Sequence, residues 1–137
     1  DKDVLDLYAG SGSLGIEALS RGAKFTTFVE KSKECTDVLN NNLKNLDNNF
    51  KVTNTAVGTF IESSINNYDI VFYDPPFELV SDFVSTELKN LENILKDNSY
   101  VVIHRHKSSP VIELTKNYEI HREKNYGQSK ILILRKV

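Results

Sequence analysis

Three glycines, two acids and a proline pair carry the chemistry this sequence offers. Gly10, Gly12 and Gly15 spell G-x-G-x-x-G within "DLYAGSGSLG" (residues 6–15), and Glu30 follows about twenty residues on. Glycines at 10 and 12 let backbone N–H groups come close to a ligand and ease the turn into a helix. An acid at the end of the next strand can accept both hydroxyls of a ribose. These features suit a nicotinamide dinucleotide and S-adenosylmethionine equally well. The stretch "DPPF" (residues 74–77) separates the two. Two prolines remove two N–H donors and fix φ twice. The chain cannot start a helix there at once, and Asp74 and the carbonyls after it point outward as acceptors. A carboxylate, a free carbonyl and an aromatic face suit a planar base with an exocyclic amino group. Asp74 and the Pro75 carbonyl would accept the amine hydrogens while Phe77 stacks on the ring. Accepting those hydrogens directs the nitrogen lone pair at an electrophilic methyl. Hydride transfer leaves "DPPF" without a role.

These residues need a frame, and hydrophobic periodicity supplies one. "DVLDLY" (3–8) is an apolar run ending in a glycine turn and reads as a buried strand. "SLGIEALSRG" (13–22) reads as a helix with Gly22 at its C-terminal cap. "FTTFVE" (25–30) is a second strand. Ser32 caps a helix whose apolar positions are Cys35, Val38, Leu39, Leu43 and Leu46. "KVTNTAV" (51–57) is a third strand and turn, and "VGTFIESSI" is a short helix. "YDIVFYD" (68–74) is a fourth strand. Val80, Phe83, Val84, Leu88, Leu91 and Leu95 then mark a long amphipathic helix, ended by Asn98 in the left-handed conformation. "YVVIH" (100–104) is the fifth strand, and "YEIHREK" and "KILILRK" form an antiparallel hairpin. The expected fold is α/β: a seven-stranded, mostly parallel sheet with helices on both faces and one antiparallel edge partner. In such sheets ligands sit beyond the carboxyl ends of the strands, at the switch point. Asp6 to Gly12, Glu30, Thr55 and Ala56, Asp74 to Phe77, and His104 all fall at that rim.

Composition bounds the rest. With 137 residues, 39% hydrophobic and 26% charged, the chain has the make-up of one folded domain spanning 1–137. Apolar runs such as "YVVI" and "ILIL" are far too short to span a bilayer. The single Cys35 makes no intrachain disulfide, and the expectation is a cytoplasmic protein. His104, His106 and His121 show no metal-ligand spacing with Cys35, so no metal site is expected. The chain has no Met and opens on Asp1, close before the glycine motif, and is expected to lack an upstream segment. Residues 1–99 hold 9 Lys and Arg against 16 Asp and Glu, while residues 100–137 hold 8 against 3. The last third is therefore basic, densest at "HRHK" (104–107), and fits a surface that meets phosphates.

"VLDLYAGSGSLGIEALSRGA", "FVE" and "YDIVFYDPPF" together resemble the Rossmann-like class I methyltransferases. More narrowly, "LGIEALSRGA" and the "YG" of the final hairpin resemble the RsmD-type 16S ribosomal RNA guanine-N(2) methyltransferases, over nearly the whole chain. The resemblance implies S-adenosylmethionine as cofactor, held by Asp6, Tyr8, Gly10, Ser11 and Gly12, with Glu30 on the ribose. It places Thr55 and Ala56 at the adenine, where the family usually has Asp-Ala. It makes Asp74, Pro75 and Phe77 the catalytic group, and Pro76, Phe77, His104 and Arg105 the substrate contacts. At His104 the family often carries an acid. The implied partner is ribosomal RNA, within a small-subunit particle or free, and the implied state is a monomer. The mechanism is direct in-line methyl transfer to a base removed from its stack. Two other readings stay open: an adenine amino methyltransferase on DNA or RNA, and a methyltransferase fold that only binds nucleic acid.

Overall fold

Residues 3–7, mostly apolar, form an inner strand of a seven-stranded sheet in the computed structural model, which describes residues 1–137. The strands are β1 (Asp3–Leu7), β2 (Phe25–Val29), β3 (Phe50–Thr53), β4 (Tyr68–Tyr73), β5 (Leu95–His106), β6 (Tyr118–Tyr126) and β7 (Ser129–Lys136). The helices are α1 (Ser13–Ser20), α2 (Lys33–Leu43), α3 (Val57–Ser63) and α4 (Ser81–Leu91). The sheet runs β3-β2-β1-β4-β5-β7-β6. Pairing is parallel from β3 through β5, and β7 joins β5 antiparallel with β6 as its hairpin partner. The expected fold class is borne out. Chain order breaks between β1 and β4, so the loops after these two strands diverge there and leave a crevice.

Strand periodicity sends alternate residues to opposite faces. Leu5, Leu7, Val71, Tyr73, Val101 and Ile103 point one way and are essentially inaccessible. They pack with Val57 and Ile61 of α3 and with Val84, Leu88 and Leu91 of α4. Each such apolar side chain contributes roughly 1.5–3 kcal/mol. Phe28 points to the other face and meets Leu39 and Leu43 of α2, with Ile16 and Leu19 of α1 alongside. Gly15 is required by this packing, because a Cβ there would stand 2.3 Å from the Phe28 ring. No helix is long and apolar enough to cross a membrane.

The local signals hold with two shifts. The Ser32 hydroxyl caps α2 by accepting from the Cys35 N–H at 3.3 Å. Gly22 ends α1 in the left-handed region at φ +96°. The long helix, expected to reach Leu95, stops at Leu91 and passes through one 3₁₀ turn (Glu92–Ile94) straight into β5. Asn98 is left-handed as expected, at φ 64°. It ends no helix, however. It lies inside β5, where pairing with β4 jumps from Leu95 opposite Tyr68 to Tyr100 opposite Ile70. The apolar stripe of α4 and the apolar run of β5 share Leu95, which obscures that boundary in the sequence.

Candidate functional site

The turn after β1 is built from hydrogen bonds between carboxylates and backbone amides. Asp6 is buried and accepts from the Gly15 N–H at 3.0 Å, tying the end of β1 to the first turn of α1. Burial pushes its carboxyl up to about 7, against the Gly15 hydrogen bond and with the Asp74 and Glu30 charges adding to the rise. Tyr8, Gly10 and Gly12 are all left-handed, at φ 56°, 58° and 84°. For Tyr8 this conformation is costly. Its hydroxyl is held by donating to Glu87 Oε1 at 2.5 Å, and Tyr73 donates to the same oxygen at 2.8 Å. Burial, then the Glu87 carboxylate, holds the Tyr8 phenol well above its usual range.

Glu30 leaves the end of β2 and accepts from two amides, Gly10 N–H on Oε1 at 2.9 Å and Ser32 N–H on Oε2 at 2.9 Å. One side chain thus joins the loops after β1 and β2. Asn54 adds the loop after β3 by donating to the carbonyls of Glu30 and Lys31. Across the crevice, Asp74 follows β4. Its Oδ1 lies 3.1 Å from His104 Nδ1, and His104 Nε2 lies 2.8 Å from Ser129 Oγ. Phe77 is half exposed, with its ring edge-on to His104 at 5.3 Å and to His106 at 5.8 Å.

Between these loops lies a cleft of about 740 Å³. Of the residues expected at the site, Tyr8, Glu30, Ala56, Asp74, Pro75, Pro76, Phe77 and His104 line it. Gly10, Ser11 and Gly12 shape the turn beside it, and Thr55 stands just outside. Asp6 lies behind the turn and lines a second hollow of about 400 Å³ with Ser13, Leu14, Asp74, His104 and Ser129. Arg105 does not meet the expectation of a substrate contact. It is 4% exposed, donates from Nη2 to the Leu79 carbonyl at 3.2 Å, and has no protein partner for Nε or Nη1. The reason is parity: position 105 shares the inward face of β5 with Val101 and Ile103, whereas His104 and His106 share the other. "HRHK" reads as one basic cluster in sequence and is split by the strand.

The cleft also contains Lys31, Glu62, Phe83 and Glu87, which the motifs do not announce. Glu87 had a signal, since it interrupts the apolar stripe of α4 between Val84 and Leu88. Four carboxylates, Glu30, Glu62, Asp74 and Glu87, line the cleft against one lysine, Lys31. No group of three or more His, Cys, Asp or Glu is arranged to hold a metal ion.

The family described as conserved hypothetical protein 95 matches residues 1–135. The chain belongs to this family. It is 37% identical over 132 residues to the ribosomal RNA small subunit methyltransferase D of Haemophilus influenzae, covering 91% of this chain and 67% of that protein. It is 33% identical over 135 residues to the protein of the same description from Escherichia coli K12, covering 93% and 65%. The chain thus spans about two thirds of the length of these relatives. The solved structure of yhhF from Escherichia coli superposes with a TM-score of 0.91 at 31% identity, over 99% of this chain and 77% of that one. The resemblance read from the motifs is borne out.

Proposed function

We propose that this chain transfers a methyl group from S-adenosylmethionine to the exocyclic amino group of a guanine in 16S ribosomal RNA. The observation that carries the reading is the convergence on one cleft of Tyr8, Glu30 and Ala56 with Asp74, Pro75 and Phe77. The residues present fit the cofactor. Each oxygen of Glu30 keeps a lone pair for a ribose hydroxyl beyond its amide bond. Ala56 and Val57 offer apolar wall to an adenine. The four carboxylates favour a cationic sulfonium and oppose the diphosphate of a nicotinamide dinucleotide.

Bound S-adenosylmethionine supplies the electrophilic methyl. The protein supplies alignment and placed acceptors. Asp74 and the Pro75 carbonyl accept the amine hydrogens, which turns the nitrogen lone pair toward the cofactor side of the cleft. Phe77 packs against the base, and Asp74 takes the proton the nitrogen sheds as the new bond forms. Pro76 keeps the loop extended and His104 borders the base. The substrate RNA meets the basic last third, where Lys107, Arg122, Lys124 and Lys130 stand on or beside the hairpin strands. On this reading the protein is a cytoplasmic monomer acting on ribosomal RNA, free or within a small-subunit particle.

The test is methyl transfer from labelled S-adenosylmethionine to small-subunit RNA, small-subunit particles and DNA, followed by nucleoside mass analysis. N2-methylguanosine in the RNA or the particles is the expected product. Methyladenine alone, or label only in DNA, contradicts the reading.

A further inference from the structure

We infer that His104 is a positioning residue for Asp74, fixed in one tautomer by Ser129. The inference deepens the proposed function and rests on its reading of Asp74 as the group that aligns the amine.

The loop after β4 makes no hydrogen bond to its own acid. Pro75 and Pro76 carry no N–H, so the two nearest amides that could cap the Asp74 side chain are missing. Asp74 is 41% exposed on its side chain and bonds instead to His104 from the neighbouring strand. Ser129 opens β7, whose register sets it opposite His106 and diagonal to His104 on the same face. That register brings Ser129 Oγ to 2.8 Å from His104 Nε2.

With a neutral ring, one proton arrangement satisfies both bonds. An ionised carboxylate offers only lone pairs, so Nδ1 carries the proton and donates to Asp74. A neutral ring then has its lone pair on Nε2, and the Ser129 hydroxyl donates to it. The edge-on contact with Phe77 closes a third side of the ring. Both ring nitrogens are therefore committed within the protein, and neither is left to read a base. The chain Ser129–His104–Asp74 engages Asp74 Oδ1 and leaves Oδ2 for the amine. A freed carboxylate turns easily about its broad terminal torsion, and small misplacements of an aligning group cost large factors in rate.

The full chain is tested by steady-state methyl transfer to small-subunit RNA, with His104→Ala, His104→Asn, His104→Gln and Ser129→Ala. His104→Ala is expected to lower kcat by about tenfold or more with KM for S-adenosylmethionine little changed. His104→Asn sets an amide N–H near the place of Nδ1–H and is expected to recover most of the loss. His104→Gln sets its amide near Nε2 and is expected not to. Ser129→Ala is expected to give a smaller fall, because it frees the tautomer without removing the ring. An unchanged kcat in His104→Ala, or equal rescue by Asn and Gln, overturns the inference. Nitrogen NMR of the wild-type histidines reads the tautomer without turnover: a protonated Nδ1 and a bare Nε2 on His104 are expected, and the reverse overturns the inference. Failure of the wild type to methylate any RNA would overturn the proposed function alone, and the NMR result would still decide the tether.

Discussion

The two sides of the cleft hold their acids by different means. On the side of β1 and β2, Asp6 and Glu30 are bound by three backbone amides, those of Gly15, Gly10 and Ser32. On the side of β4 and β5, Asp74 is bound by a side chain from another strand. The difference follows from local sequence. A glycine-rich turn entering a helix has N–H groups to spare, whereas "DPPF" has lost two. Amide bonds fix an acid together with its loop, so Glu30 is mortar between two loops and, on the proposed reading, the ribose acceptor as well. A side-chain tether fixes an acid without committing the backbone, so Asp74 can be tuned alone.

The first prediction concerns that asymmetry at its strongest. Asp74→Ala should lower single-turnover methyl transfer by about a hundredfold or more, while calorimetric affinity for S-adenosylmethionine changes little. Glu30→Ala should do the converse through two losses, the ribose acceptor and the amide bonds that join its loops. Its affinity for S-adenosylmethionine should fall by at least about tenfold, and backbone amide exchange at Gly10 and Ser32 should speed up.

Asp6 sharpens the comparison through pH. Its folded carboxyl is raised to about 7 from 3.8, so between those values the native state holds a proton the unfolded chain lacks. Stability from this group is therefore present at acid pH and is lost as pH rises from about 4 through about 7. Asp6→Asn keeps an acceptor for Gly15 and cannot ionise. Its melting temperature should match the wild type near pH 4 and exceed it by several degrees above pH 7. Parallel curves would show that the Asp6 environment is not the desolvated one described. The smallest expected effect is Tyr8→Phe, which deletes one of two hydroxyls on Glu87. A stability loss of about 1 kcal/mol in urea unfolding is expected, with the ring still lining the cleft.

Much of this arrangement was legible in the sequence, and the losses have physical causes. The strands, the Ser32 cap, the hairpin and the convergence of both motifs on one rim follow from local pattern, because periodicity and turn chemistry are local. Arg105 was misplaced because charge clustering ignores the two-residue alternation of a strand. Glu87 was visible only as a flaw in an apolar stripe; its two tyrosine partners come from β4 and the turn after β1, distant in the chain. Thr55 and Ala56 were expected to end the third strand, but β3 ends at Thr53, and of the two only Ala56 lines the cleft. The bond between His104 and Asp74 depends on pairing across β4 and β5, which no single segment encodes.

The division of the cleft into a cofactor side and an aligning side is tested most directly by one paired measurement. S-adenosylmethionine affinity and single-turnover methyl transfer at saturating cofactor are determined on the same samples of wild type, Glu30→Ala and Asp74→Ala, with small-subunit RNA as acceptor. The account predicts that Glu30→Ala moves affinity far more than saturated rate, and that Asp74→Ala moves rate far more than affinity. Two variants that lose affinity and rate in equal proportion would contradict it.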